Sequence, residues 1–334
     1  MDPAKTSPTG PTPDSSSESE TSPTNRAVFR FKHSMRTILL RRLLAFVAGL
    51  LVSAQTCLAA EPVRSGSKVQ KRIVMIIGEN EYSTWETLPE FARVELVPRS
   101  YQVSPVLASP KEGDSDFKNF EAIRDADLVV VSVRRRTPPK AMMELLRAHV
   151  AAGKPIVGIR TASHAFEATP ASPEFAAWNG FDLEVLGGHY EGHYNNKPPA
   201  APHSLIEIVR SNASHAMLTG VASTPFRVTS HLYKNRRLAP TVVPLLQGQV
   251  EGLGIMEPVA WVNTAQDRRV FYTSLGNEDD FKLPAFRRLL LNGILWCLRD
   301  PVPPVTDPAA TPATKARRRV VEGEADAALP EFRK

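Results

Sequence analysis

The chain has 334 residues, 42 % of them hydrophobic, a formal net charge of +6 and 2 cysteines. That length and apolar content suit a soluble globular core, and two cysteines are too few for a disulfide-stapled scaffold. The positive charge does not indicate a nucleic-acid binder, because it gathers at the ends: Arg26, Arg30, Lys32, Arg36, Arg41 and Arg42 on one side, and Lys315, Arg317, Arg318 and Arg319 on the other.

Residues 1–34 are rich in Ser, Thr, Pro and charge and poor in aliphatic side chains, so they are expected to be disordered, or a mis-called extension with Met35 as the true start. Arg36, Arg41 and Arg42, the apolar run Leu43–Ala54 and the small residues before Glu61 form a secretory signal peptide over 35–60. They predict an exported (periplasmic or secreted) protein with no membrane attachment after cleavage. A linker over 61–70 follows. Removing the signal removes Cys57, and leaves Cys297 on an apolar C-terminal helix, where a small buried hydrophobe fits better than a nucleophile.

From here strand and helix patterns alternate. Arg72–Ile77 predicts a first buried strand leaving through Gly78-Glu79-Asn80-Glu81-Tyr82, an acidic loop of the kind that faces ligands in doubly wound folds. A helix is expected from Thr84 through Leu96, with Pro89 near its start. Gln102–Ala108 is a second strand, Phe117–Ile123 a short amphipathic helix, Ala126–Val133 a third strand and Ala141–Ala152 a helix stopped by Gly153. Arg134, Arg135 and Arg136 end the third strand, either as a solvated strand end or as a contact for an anion or sugar acid. Ile156, Val157 and Ile159 form a fourth strand, after which Arg160, Thr161, Ser163 and His164 deliver polar groups together.

Past His164 a partly helical stretch is expected over Ala165–Trp178, interrupted by Pro170 and Pro173. A Gly-, His- and Tyr-rich loop then covers Gly187–Asn196. Strands are read at His203–Val209, Phe226–Tyr233, Val243–Gln247, Val259–Thr264 and Arg269–Ser274, with a short helix at Ser214–Leu218. A last apolar helix spans Leu283–Leu298 and packs on the sheet. The chain is thus read as one α/β domain over 71–300, a doubly wound, mostly parallel sheet with right-handed crossovers. A disordered tail is expected over 301–334.

The strand–turn–helix at Val157–His164 is where α/β enzymes set a nucleophile on a sharp elbow, and the elbow position falls on Arg160. A guanidinium cannot attack carbon, so covalent catalysis from this elbow is excluded. Ser163 and His164 suit an orienting hydroxyl and imidazole for a polar ligand. His189 and His193 are four apart, yet Gly188 and Gly192 argue against a helix. Three readings stay open for this pair: a divalent metal such as zinc, completed by His164, Glu191 or Glu79; ligand hydrogen bonds; or a structural loop. Tyr190, Tyr194 and Trp178 suit a sugar, whose ring faces stack on aromatic planes. Glu278, Asp279 and Asp280 read as a general base with companions or as an N-cap cluster for the last helix.

Taken jointly, Ile-Gly-Glu-Asn-Glu-Tyr with Thr-Leu-Pro-Glu-Phe, Gly158-Ile159 with Ala162-Ser163-His164, Gly187-Gly188 before His193, Glu257-Pro258-Val259-Ala260-Trp261, and Val270–Gly276 ahead of Asn292-Gly293-Ile294-Leu295-Trp296 resemble the ThuA-like (trehalose-utilisation) family over roughly Arg72–Arg299. The resemblance implies a fold like that of class I glutamine amidotransferases. It also implies a role in disaccharide or keto-sugar utilisation with a small-molecule carbohydrate as partner. Two departures stand out. Arg160 replaces the amidotransferase cysteine, so no glutaminase activity is expected, and Asn277 stands where family members often carry histidine after the glycine. Under an enzyme reading, Arg160 stabilises developing negative charge while His164 or Glu278 acts as acid or base. Glu79, Glu81, Tyr82, Ser163, His189, Tyr190, His193 and Asn277 then contact substrate. The alternatives are a non-catalytic sugar-binding module or an interaction protein with a decayed pocket.

Overall fold

The computed structural model describes residues 70–109, 116–197, 199 and 201–304. The expected extension, signal peptide and basic residues of the tail lie outside the described residues. In chain order the elements are β1 (Arg72–Gly78), α1 (Thr84–Phe91), β2 (Gln102–Ala108), β3 (Phe117–Lys118), β4 (Leu128–Val133), α2 (Lys140–Ala151) and β5 (Ile156–Ile159). Then come β6 (Gly188–His189), β7 (Ser204–Ile208), β8 (Phe226–Val228), β9 (Arg237–Leu238), β10 (Val242–Val250), β11 (Glu257–Asn263), β12 (Val270–Thr273) and α3 (Pro284–Cys297).

Ten strands make one sheet in the order β3-β2-β1-β4-β5-β12-β11-β10-β7-β8, and β6 pairs separately with β9. The centre, β2-β1-β4-β5-β12, is parallel. Its strands are short apolar runs with buried residues on both faces, as a covered parallel sheet requires. Beyond β12 the sheet continues antiparallel through β11, β10, β7 and β8. The fold class is therefore the expected doubly wound α/β sheet, with an antiparallel extension on one side.

Alternation along β1 shows how the two cores arise. Ile73, Met75 and Ile77 face a layer holding Leu88 and Phe91 of α1 and Phe286, Leu289, Leu290 and Ile294 of α3. Val74 and Ile76 face Met142, Leu146 and Val150 of α2 together with Trp178 and Phe181. Each such side chain, fully buried, contributes about 1.5–3 kcal/mol. Cys297 is buried in the first layer, its Sγ 3.8 Å from the Ile156 carbonyl, as a small hydrophobe.

Four local expectations are corrected. The Phe117–Ile123 helix is a two-residue edge strand followed by a 3-10 turn over Phe120–Asp125, because Asn119 takes a left-handed φ of 62° between them and its side-chain amide donates to the Pro105 carbonyl. No helix forms over Ala165–Trp178; Pro170 and Pro173 remove backbone donors, and the segment is tied down by single contacts such as Trp178 N to Phe166 O at 3.0 Å. Helix α1 stops at Phe91 and passes through a π turn (Ala92–Leu96) into a 3-10 turn that contains Pro98. The strand expected over Phe226–Tyr233 ends at Val228, and the chain from Thr229 leaves the sheet.

Candidate functional site

Parallel pairing sets Thr273 of β12 beside Ile159 of β5, so the polar segments that follow both strands emerge side by side at one sheet edge. The contact between them is close. A Cβ on Gly276, at φ +126°, would lie 2.4 Å from Ile159 Cγ2, which is why glycine stands there.

Arg160 occupies the elbow in the left-handed region, at φ 47°. A long side chain rarely adopts that conformation, and such strain clusters at functional turns. The Tyr272 hydroxyl donates to the Arg160 carbonyl at 2.8 Å and pins the elbow backbone. The side chain is 1 % exposed. One terminal nitrogen donates to the Ser274 carbonyl at 2.8 Å, and the guanidinium is clamped between the rings of Tyr82 at 4.1 Å and Tyr233 at 4.8 Å. Its Nε has no hydrogen-bond partner, and no carboxylate among the described residues comes within ion-pair distance of Arg160.

Above this guanidinium opens a polar pocket of about 490 Å³. Glu81, Tyr82, His193, Lys197, Thr229, Ser230, His231, Asn277, Glu278 and Asp279 line it, and the Asn277 amide donates to the Thr229 hydroxyl at 3.2 Å. The His193 and His231 rings are 4.7 Å apart. His193 Nδ1 donates to the Tyr194 carbonyl at 3.2 Å. Burial, the neighbouring His193 and then Arg160 hold His231 below the usual imidazole range, favouring its neutral form.

The polar segment after β12 is held by Asp280. Its Oδ2 accepts from Gly276 N at 2.7 Å, from Asn277 N at 3.1 Å and from the Ser230 hydroxyl. Burial pushes this carboxyl upward, and Oδ1 has no partner. The acidic cluster therefore organises its own turn; α3 begins at Pro284 with Leu283 before it, and takes no side-chain cap from these residues.

Of the residues singled out from sequence, Glu81, Tyr82, Arg160, His193, Asn277, Glu278 and Asp279 share the pocket. The others lie apart. Glu79 is buried and spends its oxygens on Glu81 N, Tyr82 N and Thr84 N at 2.7–2.8 Å, shaping the loop and the start of α1. His164 stacks on Tyr190 at 4.4 Å with Nδ1 3.1 Å from the Ser163 hydroxyl. Burial, then Arg135, Arg134 and Arg160, drive its pKa to about 3, so it stays neutral behind the elbow. His189 donates from Nδ1 to buried Asp182 at 2.6 Å. It therefore has different partners from His193, and among the described residues no three His, Cys, Asp or Glu side chains form a metal-binding group. Tyr194 donates to buried Glu257 at 2.8 Å, and Trp178 donates to Glu184 at 2.7 Å within the α2-side core.

Sequence reasoning did not select Lys197, Thr229, Ser230, His231 or Tyr233 for the site. The available signal was Thr229-Ser230-His231, three adjacent polar side chains within the strand read over Phe226–Tyr233.

The fold and the elbow define a class, an amidotransferase-like α/β protein whose strained elbow carries a guanidinium. The chain belongs to the ThuA family, described as trehalose utilisation, whose model matches residues 74–297. No curated protein matches the sequence. Among solved structures, a ThuA-like protein from Parabacteroides merdae has a TM-score of 0.50 at 15 % identity, covering 71 % of this chain and 94 % of its own. Another, from Bacteroides uniformis, has a TM-score of 0.48 at 16 % identity, covering 76 % and 100 %. The first of these likenesses bears on the fold alone, and agrees with the resemblance drawn from the motifs.

Proposed function

We propose that the chain acts on a carbohydrate, a disaccharide or keto-sugar, in the trehalose-utilisation setting of its family, by non-covalent acid/base chemistry in the pocket above Arg160. One observation carries this reading: a strand-end pocket in which two facing imidazoles stand beside a fixed cation, with hydroxyl and amide groups around them. Thr229, Ser230 and Asn277 match sugar hydroxyls, and His193 Nε2 is free to accept a proton while His231 relays or returns it. Arg160 needs no reorganisation to stabilise negative charge that develops on a sugar oxygen. Glutaminase chemistry is not proposed, since the elbow lacks a thiol and burial pushes the thiol of Cys297, the last residue of α3, well up. Action outside the cytoplasm is part of the proposal and is supported by the sequence of residues 35–60.

The test combines calorimetric titration of mono- and disaccharides with product analysis. Wild type is expected to bind a saccharide and turn it over. His193→Ala and His231→Ala should retain binding within a few-fold and lose turnover by 10²-fold or more, on the order expected for general acid–base groups. Binding without turnover in wild type would favour a sugar-binding module, and no binding of any saccharide would contradict the proposal.

A further inference from the structure

The charges around the pocket do not balance locally. Arg160 is 1 % exposed and meets a carbonyl and two aromatic faces, none of which neutralises it. A buried cation without a carboxylate is unusual, because desolvation is ordinarily offset by a close counter-charge. The carboxylates nearby are engaged elsewhere. Glu81 pairs with Arg134 at 2.9 Å. Asp279 pairs with Lys282 at 2.6 Å and also accepts from the Thr229 hydroxyl at 3.0 Å. Glu278 is exposed at the rim and accepts from Ser83 at 3.4 Å. Asp280 acts on Arg160 through space but forms no ion pair with it, and spends Oδ2 on backbone N–H groups and a hydroxyl. Lys197 adds a second cation to the lining with no ion pair of its own among the described residues.

We infer that the carbohydrate bound here carries a carboxylate, that is, a sugar acid whose carboxylate becomes the missing partner of Arg160 while its hydroxyls meet Asn277, Thr229 and the two histidines. This rests on the carbohydrate reading above and narrows its substrate class. An Arg–carboxylate contact supplies charge and directed hydrogen bonds together, which a neutral hydroxyl cannot match.

The experiment titrates wild type with glucuronate, gluconate, glucose, trehalose, acetate and inorganic phosphate, each at low and high sodium chloride. The expected result is at least tenfold tighter binding of a sugar acid than of glucose, weakening with salt, and loss of that preference in Arg160→Gln. If Arg160→Gln does not fold, Lys197→Gln, exposed at the mouth, is expected to weaken the sugar acid two- to fivefold more than it weakens glucose. Neutral sugars binding as well as the acids would overturn the inference and leave the carbohydrate reading standing. Acetate or phosphate binding as tightly as the sugar acids, with no neutral sugar bound, would overturn both, as would an absence of any binding.

Discussion

The Tyr272 hydroxyl is the smallest group whose removal reaches the elbow, since its one acceptor is the Arg160 carbonyl at 2.8 Å. Tyr272→Phe should cost about 1 kcal/mol, the net worth of one buried hydrogen bond, and should weaken saccharide binding by releasing the left-handed turn. Urea unfolding and calorimetry on the same variant measure both effects. Gly276→Ala tests the contact of the two strand ends. With a Cβ 2.4 Å from Ile159 Cγ2 and φ at +126°, it should lose about 2–3 kcal/mol of stability in urea. Sequence alone located Arg160 at the elbow, because a buried apolar run ended there in polar groups. It did not reveal that Glu79 and His164 would be consumed by backbone N–H groups, a hydroxyl and a stacked ring. Whether a polar side chain serves a ligand or its own loop depends on partners brought in from elsewhere in the chain.

Helix α3 shows that packing between elements can override local preference. Gly293 lies in its middle against β12, and a Cβ there would come 2.3 Å from the Phe271 ring. Alanine is favoured over glycine in a helix by about 1 kcal/mol. Gly293→Ala should nevertheless destabilise, by about 1–2 kcal/mol net, because α3 must shift off the sheet or Phe271 must leave its rotamer. A lower urea midpoint with unchanged helical circular dichroism checks this. The central strands and the two long helices were legible as apolar runs and as stripes of helical period. The segment over Ala165–Trp178 and the end of β8 were not. Prolines and scattered aromatics do not specify a loop's course, and Thr229–Tyr233 retains strand-like composition although it leaves the sheet to reach the pocket and Arg160.

For the molecule as a whole, the parallel order of the centre follows from strand–helix alternation, whereas the antiparallel extension depends on pairings that no local pattern states. Buried imidazoles also give the molecule an acid limit. Burial above all drives His149 down to about 4 and His164 to about 3, against about 6.5 in the unfolded chain. Their folded pKa values are depressed, so the unfolded state takes up protons that the folded state refuses. Stability is full above pH 6.5 and falls as pH drops toward 4, by about 2 kcal/mol per histidine at pH 5. Urea midpoints at pH 7.5 and 5.0 should show the loss, and His149→Gln should remove about half of it. The most direct test of the central claim, that the pocket above Arg160 is where a saccharide binds, is proton–carbon NMR of the histidine rings during titration with the tightest-binding saccharide. The account predicts that His193 and His231 shift together and saturably while His149 and His215 do not. Saturable shifts confined to histidines other than His193 and His231 would contradict it.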